Sequence, residues 1–366
     1  MSNSSTNPQL IFPKLKSGTT LTRFSADEIF IGFGQIRFGH KGGTLPLHPY
    51  LGLLRRCDGR TSLAELLELA VKSELSPNDF SALIGDLERE QLIEIHSRLQ
   101  GSVGRDESLV QQHERIAPEM KLLTWRDGVG DGGISELEKR STYSIQIFGE
   151  SRLARTLLSL LQATGFTQSR ILLRPDFDSE RIRGSDVCGL VTRADDIGKS
   201  RIDFHNEITR TSALLPSQKG LFKNPSLVIS AIPIPADLLQ LWLSEGTPHL
   251  QIGALVGNRV EIGPFVIPGV SPCVQCARLA ERDSLPDFLA RSITPYQFAE
   301  LPSAGVAIIA GVVASVVAQF CATSTTSLIA HSASIDLLSP LDQMKFTELD
   351  FHNECGCTDR WRARVS

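Results

Sequence analysis

The sequence has no excess of basic residues. Its 366 residues include 37 lysines and arginines against 41 aspartates and glutamates, a net charge of −4. This balance gives no electrostatic attraction to nucleic-acid phosphates or to an anionic membrane, so neither is an expected partner. The opening residues, Met1 to Pro8, also lack the basic start and apolar core of a secretion signal. We therefore expect a cytoplasmic protein.

The sequence also lacks a glycine-rich phosphate-binding loop. From Tyr143 to Arg174 the pattern predicts a strand, a tight turn, a helix and a second strand, as at the start of a doubly wound nucleotide-binding domain. Such loops need several glycines so that backbone amides can approach the phosphate oxygens. Here Gly149 stands alone, and Glu150 adds negative charge where a phosphate would lie. The sequence therefore predicts that ATP binding is lost.

Cysteine is scarce, but four of the seven cysteines stand in two close pairs, Cys273-Val-Gln-Cys276 and Cys355-Gly-Cys357. Thiolates at these spacings can converge on one tetrahedral zinc ion, and four sulfur ligands leave no open position for water. The pattern predicts a structural zinc site; two disulfides or four separate thiols are the alternatives. Disulfides suit an oxidising compartment, which the missing secretion signal argues against. The other three are expected to be spectator thiols: Cys57, Cys188 and Cys321.

The N-terminal part predicts a small winged-helix-like α+β domain. We expect a flexible lead-in over residues 1–18, three short strands and three helices over 19–97, and a linker over 98–141. Ser62 with Glu65 has the capping-box spacing at the start of the second helix. The third helix should begin at Ser76-Pro77, with serine as its cap.

A winged-helix-like domain can bind DNA, but the third helix here is acidic. A phosphate backbone would be repelled by it. The domain can instead accept an extended peptide as a strand at the free edge of its sheet. A role in packing or dimerisation alone is the alternative. The acids of this helix, against the single cation Arg89, are Asp79, Asp86, Glu88 and Glu90.

Residues 142–366 predict an α/β domain that contains the cysteine pairs. Residues 303–322 are apolar enough to raise the question of a membrane span. The run is dominated by small residues, includes Ser315 and Gln319, and lacks flanking lysine or arginine. We therefore predict a helix buried on both sides, in the sheet or in a subunit interface. A hairpin after it should return His352 and the second cysteine pair to the first.

Three features carry a family resemblance: the Pro-Gly-x-x-Pro-Cys-x-x-Cys run ending at Cys276, the long Ala/Gly/Val helix and the closing Cys-Gly-Cys. Together they resemble the ThiF-like fold of the ubiquitin-activating-enzyme superfamily, a doubly wound Rossmann-type domain. More narrowly, the chain is similar to ThiF-like proteins of thiazole/oxazole-modified microcin (TOMM) gene clusters. Residues 45–69 also resemble a PqqD-like peptide-binding domain. The resemblance covers about residues 18–100 and 141–358.

The resemblance implies a protein that binds the leader of a ribosomally made precursor peptide and presents it to a YcaO-type cyclodehydratase. In related domains the leader adds as a strand beside the third strand and against the third helix. A homodimer through the long apolar helix is also implied. Carried over by element, the peptide-binding positions here are Gln35, Ile36, Arg37, Phe38, Phe80, Ile84 and Leu87.

The chain departs from this family pattern at the nucleotide site. Active adenylating members are similar in having several loop glycines, an acid after the second strand and nearby cations. Here Gly149 is isolated, Asp176 is a displaced acid, and Arg152 lacks its partners. We therefore expect a degenerate nucleotide site and no catalytic residue. An ATP-dependent adenylating enzyme is the alternative, and a metal-sensing transcription regulator is a weaker one. His352 is either a donor to a zinc thiolate or a turn residue.

Overall fold

The computed structural model describes residues 11–23, 28–33, 36–37, 45–46, 50–96, 107–126, 132–172, 180–213, 224–232, 234–284, 300–341 and 344–357. The chain divides into two compact units, Met1–Leu137 and Glu138–Ser366. The division falls within a helix, α5 (Ile134–Thr142), whose end coincides with the predicted domain boundary.

Unit 1 contains two small sheets and four helices among its described residues. Strands β1 and β6 form one antiparallel pair, and β3 lies at the centre of the other sheet, paired with β2, β4 and β5. The elements are β1 (Phe12–Leu15), β2 (Thr20–Arg23), β3 (Glu28–Phe33), β4 (Ile36–Arg37), β5 (Leu45–Pro46), α1 (Tyr50–Leu54), α2 (Leu63–Lys72), α3 (Pro77–Arg89), β6 (Ile93–His96) and α4 (Glu107–Leu123).

The structure has both helix starts that the sequence predicts in this unit. At the start of α2, the Glu65 amide donates to Ser62 Oγ at 3.2 Å, and the Ser62 amide donates to Glu65 Oε2 at 2.9 Å. The Asp79 amide donates to Ser76 Oγ at 3.3 Å, and Pro77 occupies the first helical position. These bonds satisfy amides that a helix start would otherwise leave without partners.

The predicted lead-in and linker hold more structure than we expected. Strand β1 lies within residues 1–18 and is held by a partner far along the chain, since Phe12 pairs with His96. Residues 98–141 hold α4 and most of α5, although the segment is polar overall. Its few apolar side chains are spaced so that Leu123 and Leu137 are both buried. Gly133 permits this packing, because a β-carbon there would lie 2.6 Å from Leu123 Cβ.

Unit 2 is built on a seven-stranded mixed sheet. Its strands follow the order β8-β7-β9-β10-β11-β12-β13; the first four are parallel, and β10 to β13 pair antiparallel. The elements are β7 (Ile145–Phe148), α6 (Arg152–Ala163), β8 (Ser169–Leu172), α7 (Arg201–Ser212), β9 (Leu227–Ser230), α8 (Ala236–Glu245), β10 (His249–Val256), β11 (Arg259–Val266), α9 (Val274–Ser284), α10 (Ser303–Thr323), β12 (His331–Asp336) and β13 (Met344–Glu348). The predicted parallel α/β sheet and closing hairpin are therefore confirmed.

Helices cover both faces of this sheet. Apolar side chains of α6, α7 and α10 pack on one face with strand residues such as Ile147 and Ile229. On the other face, Trp242 of α8 and Val274 of α9 pack against Phe148. The second core lies directly beside the cysteine pairs, because Cys273 and Cys276 are part of it.

Within this chain, the long helix α10 is buried on one face, and its other face would be buried only in a subunit interface, the second alternative of our prediction. Val306, Ile309 and Val313 are buried, whereas Ala307 and Ser315 are exposed. Among the described residues it is the one helix long and apolar enough to cross a membrane by length and composition, with a mean hydropathy of 2.2 and half of that window buried. Its buried side chains recur at helical spacing and pack in the core that α6 shares.

Candidate functional site

The four paired cysteines come together in unit 2. Their sulfur atoms all lie within 4.8 Å of one another. Cys273 Sγ lies 3.9 Å from Cys276 Sγ and 3.5 Å from Cys355 Sγ, and Cys276 Sγ lies 3.6 Å from Cys357 Sγ. Sulfurs placed tetrahedrally at about 2.3 Å from zinc are about 3.8 Å apart, whereas a disulfide needs about 2.05 Å. The donor set therefore fits one zinc ion and does not fit disulfides.

Local structure prepares the first cysteine pair for a metal. A tight turn follows β11, in which the amides of Val270 and Ser271 donate to the Ile267 carbonyl at 2.9 and 3.0 Å. Cys273 comes directly before α9, and Cys276 lies in its first turn. The positive end of a helix dipole favours thiolates there. Both side chains are fully buried, so the zinc would be shielded from water on this side.

Charges near the sulfurs favour a dianionic zinc–thiolate centre. Hydrogen bonds from the neighbouring Cys273 and Cys357 thiols lower the pKa of Cys276. Four thiolates around Zn²⁺ leave a net charge of about −2. Arg278, on the same helix, is near enough to Cys273 for electrostatic attraction and donates to the Ile234 carbonyl at 3.2 Å. Its cation partly balances the centre.

His352 is a turn residue, and its ring does not face the sulfurs. Its Nδ1 accepts from the Glu354 amide at 3.1 Å, so Nε2 carries the ring proton and donates to Asp283 Oδ2 at 2.8 Å. The Cys355 amide donates to the His352 carbonyl at 2.9 Å. Both ring nitrogens are thus used in holding the loop that carries the second cysteine pair.

The second predicted site lies where the sheet order reverses, at the carboxyl ends of β7 and β9. Ligands of doubly wound sheets bind at this position. Gly149 ends β7 with a φ of +102°. A β-carbon at this residue would lie 2.7 Å from Ile232 Cγ1. The glycine is therefore required by the close approach of Ile232, whose side chain lies where a glycine-rich loop would leave space for a ligand.

The amides at the start of α6 already have partners within the protein. Ser151 Oγ accepts from the Ala154 amide at 3.1 Å, and Glu300 Oε2 accepts from the Arg152 amide at 3.2 Å. A carboxylate of the chain thus occupies the position that favours an anion at a helix N-terminus. The Arg152 side chain donates to the Ser185 carbonyl at 2.6 Å. Asp176, the third residue of the predicted nucleotide site, lies outside the described residues.

A buried ring of ion pairs, here called the charge ring, fills the space beside this helix start. It consists of Glu150, Arg155, Asp186 and Arg201. Each arginine contacts both carboxylates: Arg201 lies 2.7 Å from Glu150 and 2.9 Å from Asp186. Arg155 lies 3.1 Å from Asp186 and also contacts Glu150. The four side chains are 0 to 8% exposed.

Contacts with His205 and with the arginines of the charge ring keep Glu150 ionised in spite of its burial. Burial raises the pKa of Glu150, but contact with His205, whose Nε2 lies 2.9 Å from Glu150 Oε2, and the charge of Arg155 outweigh it and lower the pKa to about 2. Sequence reasoning identified Glu150 as unfavourable for phosphate but missed its partners. An acid placed directly after a buried strand was the available signal, because a buried carboxylate requires cations nearby.

The structure does not bring the predicted peptide-binding residues together on a described surface. Ile36 and Arg37 form β4, whereas Gln35 and Phe38 lie outside the described residues. Phe80, Ile84 and Leu87 of α3 are 0, 4 and 0% exposed and pack in the core of unit 1. Their helical spacing marks the face that α3 buries against its own unit. A peptide beside α3 would contact its outward side chains instead, such as Ser81 and Ala82.

Comparison with known proteins supports the fold. No family model and no curated protein matches the sequence. The structure of Escherichia coli MccB with MccA-N7isoASN matches with a TM-score of 0.60 at 12% identity, over 94% of this chain and 99% of that chain. The chain has the MccB fold. MccB with ATP matches with a TM-score of 0.57 at 14% identity over the same shares of both chains. PaaA matches with a TM-score of 0.60 at 15% identity, over 92% of this chain and 100% of that chain.

These neighbours support the ThiF-like fold implied by the cysteine motifs. Their identities are too low to transfer residue roles, so the roles of individual residues rest on the geometry of this chain. One neighbour is described as the microcin C7 biosynthetic enzyme MccB in complex with N-formylated MccA.

Acid should weaken unit 2 through His249, which lies beside Trp242 in the core next to the cysteines. Its Nδ1 donates to the Thr247 carbonyl at 3.0 Å, and burial lowers its pKa from 6.5 to about 4. The unfolded chain protonates His249 at a higher pH than the folded protein does. The contribution of neutral His249 to the unfolding free energy is therefore complete above pH 6.5 and is lost as the pH falls towards 4. We expect a loss of about 3 kcal/mol over this window.

Urea unfolding at several pH values tests this expectation. His249→Gln cannot take up the proton, so its unfolding free energy should fall less between pH 6.5 and 4 than that of the wild type. Acid protonates the cysteine thiolates in both proteins, so the comparison rests on the difference between the two slopes. Equal slopes would remove His249 as the cause.

Proposed function

We propose that this protein binds the leader of a ribosomally made precursor peptide and presents it to a YcaO-type cyclodehydratase, without turning over ATP itself. The observation that carries the non-catalytic part is the charge ring at the switch point of the sheet. The expected site of action is the cytoplasm. A homodimer through the outward face of α10 belongs to the same proposal.

Glu300 and the charge ring each oppose ATP binding at the start of α6. A phosphate at the start of α6 would have to displace the Glu300 carboxylate from the Arg152 amide. It would also lie next to Glu150, whose negative charge is fixed by Arg155 and Arg201. Drawing either arginine towards phosphate would take one of the two arginine contacts from both Glu150 and Asp186, and weakening a buried ion pair in this way is unfavourable. We therefore assign the ATP chemistry of the reaction to the partner, the YcaO-type cyclodehydratase.

A peptide partner is supported from two sides. MccB, which shares the fold, was crystallised with the peptide MccA. In unit 1, β4 pairs with β3 through Gly32 with Arg37 and Phe33 with Ile36, and no described strand lies on its other side. A free edge of this kind gives a peptide backbone hydrogen bonds in an extended conformation.

The cysteine site has a structural role in this proposal. Cys273, Cys276, Cys355 and Cys357 would hold a zinc ion that joins the start of α9 to the end of the chain beyond β13. When bound, the ion supplies folding free energy and no open coordination position for chemistry.

An ATP-dependent adenylating enzyme is the second candidate. It is favoured by the structures of MccB with ATP and with AMPCPP and MccA, which match this chain with TM-scores of 0.57 and 0.59. An active site in this chain would require the Glu300 contact and the charge ring to open. Saturable ATP binding that is lost in Arg152→Ala would support this candidate.

A calorimetric titration separates the two candidates. The full-length protein is titrated with synthetic copies of the leader regions of short reading frames beside its gene, with and without ATP and magnesium. We expect the same affinity in both conditions and no release of phosphate or pyrophosphate. Peptide binding that requires ATP, or release of pyrophosphate, would contradict the non-catalytic role. Absence of binding to any leader would contradict the peptide role.

Ile36→Pro should weaken leader binding at least tenfold. The two-residue strand β4 is held to β3 at Ile36, and proline removes a backbone donor and unpairs the edge. Ile36→Val keeps the donor and is the matched control, so its affinity should stay within about twofold of wild type. The measurement is the same titration, with circular dichroism to verify that the fold of unit 2 is unchanged. Equal affinity of the proline variant would place the peptide elsewhere.

A further inference from the structure

A closed network of polar contacts joins the end of α9 to the loop that carries Cys355 and Cys357. His352 Nε2 donates to Asp283 Oδ2 at 2.8 Å, and Arg282 Nε donates to Asp283 Oδ1 at 2.8 Å. Arg282 Nη2 donates to Glu354 Oε2 at 2.8 Å. The Glu354 amide closes the circle by donating to His352 Nδ1 at 3.1 Å. We call these four residues the clasp.

The clasp connects the two cysteine pairs without passing through the sulfurs. Helix α9 carries Cys276 in its first turn and Arg282 and Asp283 in its last. The loop from Asp350 to Cys357 has no fully buried side chain, so apolar packing does little to fix it. Its position depends on the metal, on the clasp and on a few backbone bonds, such as that from the Cys355 amide to the His352 carbonyl.

We propose that the clasp holds Cys355 and Cys357 in place and sets the rate at which zinc leaves the four-cysteine site. Partners that orient metal ligands from outside typically change metal affinity about 10- to 100-fold when removed. The clasp is partly exposed, with Asp283 50% and Glu354 63% exposed, and it acts on the loop and not on a sulfur. We therefore expect zinc to leave about tenfold faster when the clasp is broken, which is the lower end of this range. This role is independent of whether the protein binds a peptide.

The test measures zinc release from the full-length, zinc-loaded protein into an excess of chelator, followed with a zinc-responsive dye well below the melting temperature. His352→Ala and Asp283→Ala should each release zinc about tenfold faster than wild type. The double variant should release it no faster than the faster single variant, because both substitutions break the same contact. Arg89→Ala, which removes the exposed Arg89–Asp86 pair of α3, is the control and should be unchanged.

Salt gives a second readout that a general loss of stability would not produce. High ionic strength screens exposed ion pairs, so it should speed zinc release more in the wild type than in Asp283→Ala, where the Arg282–Glu354 pair is the ion pair of the clasp that remains. The melting temperature of each zinc-loaded variant should stay within a few degrees of wild type, since the clasp residues are outside the core. The proposal is overturned if both single variants release zinc within about twofold of the wild-type rate, if their effects multiply in the double variant, or if the wild-type protein contains no zinc.

Discussion

Replacing Cys276 by serine should release zinc and unfold the region of unit 2 around the cysteines. Cys276 is fully buried, and its sulfur lies 3.9 Å from that of Cys273 and 3.6 Å from that of Cys357. Structural zinc sites bind with about 10 to 16 kcal/mol, and this binding free energy is folding free energy. Losing one of the four ligands removes much of this free energy. The core that includes Phe148, Trp242 and Val274 then loses the packing of the cysteine-bearing segments.

Metal analysis and thermal unfolding of purified protein test this expectation. The wild type should contain about one zinc per chain, and Cys276→Ser should contain little and melt about 10 °C lower or more. Cys321→Ala is the control, because Cys321 is buried in α10 and is not one of the four clustered cysteines. It should keep its zinc and melt within a few degrees of wild type. A metal-free wild type, or a Cys276→Ser protein with unchanged melting temperature, would contradict the zinc site.

The cysteine cluster and the helix caps could be predicted from the sequence because each depends on residues a few positions apart. The Cys-x-x-Cys and Cys-x-Cys spacings restrict which atoms can share one metal, and the pairing of Ser62 with Glu65 needs only one turn of helix. The parallel sheet was predictable for a similar reason, since strand and helix alternate from Tyr143 onward.

Features that depend on distant partners could not be predicted. Strand β1 exists because Phe12 to Leu15 pair with Ile93 to His96, which no local pattern indicates. The spacing of Phe80, Ile84 and Leu87 marks a buried face but does not say what covers it, and here their own unit does so. The charge ring joins Glu150 to Asp186 and Arg201 across a segment whose fold the sequence leaves open. Gly149 and the adjacent Glu150 gave a local signal, which predicted a missing phosphate site without showing which residues replace it.

Breaking the charge ring should be among the most destabilising single changes in unit 2. Glu150→Gln removes one negative charge from this buried group. Asp186 then contacts both Arg155 and Arg201, which are 0 and 7% exposed, and Arg201 keeps one further carboxylate, Glu180, at 3.3 Å. Removing one partner of a buried ion pair typically costs about 3 to 5 kcal/mol, because the remaining charge is uncompensated. We expect a loss of this size in the unfolding free energy, measured with urea at pH 7.

A second substitution distinguishes charge imbalance from loss of shape. In Glu150→Gln/Arg201→Met the ring again contains one cation and one anion, Arg155 and Asp186, so part of the lost stability should return. Glu207→Gln is the control, because its partner Lys199 is 41% exposed and Glu207 itself 44%. Exposed pairs of this kind contribute at most about 1 kcal/mol. If the double variant is less stable than Glu150→Gln, charge balance is not what the ring provides.

The effect of Glu150→Gln should also depend on pH in a defined direction. The pKa of Glu150 is lowered from 4.5 to about 2 in the folded protein. Its ionised form therefore contributes full stability above about pH 4.5, and this contribution is lost as the pH falls towards 2. The difference in unfolding free energy between wild type and variant should be smaller at pH 3.5 than at pH 5. A difference that is as large at pH 3.5 as at pH 5 would mean that the destabilisation comes from packing and not from the charge of Glu150.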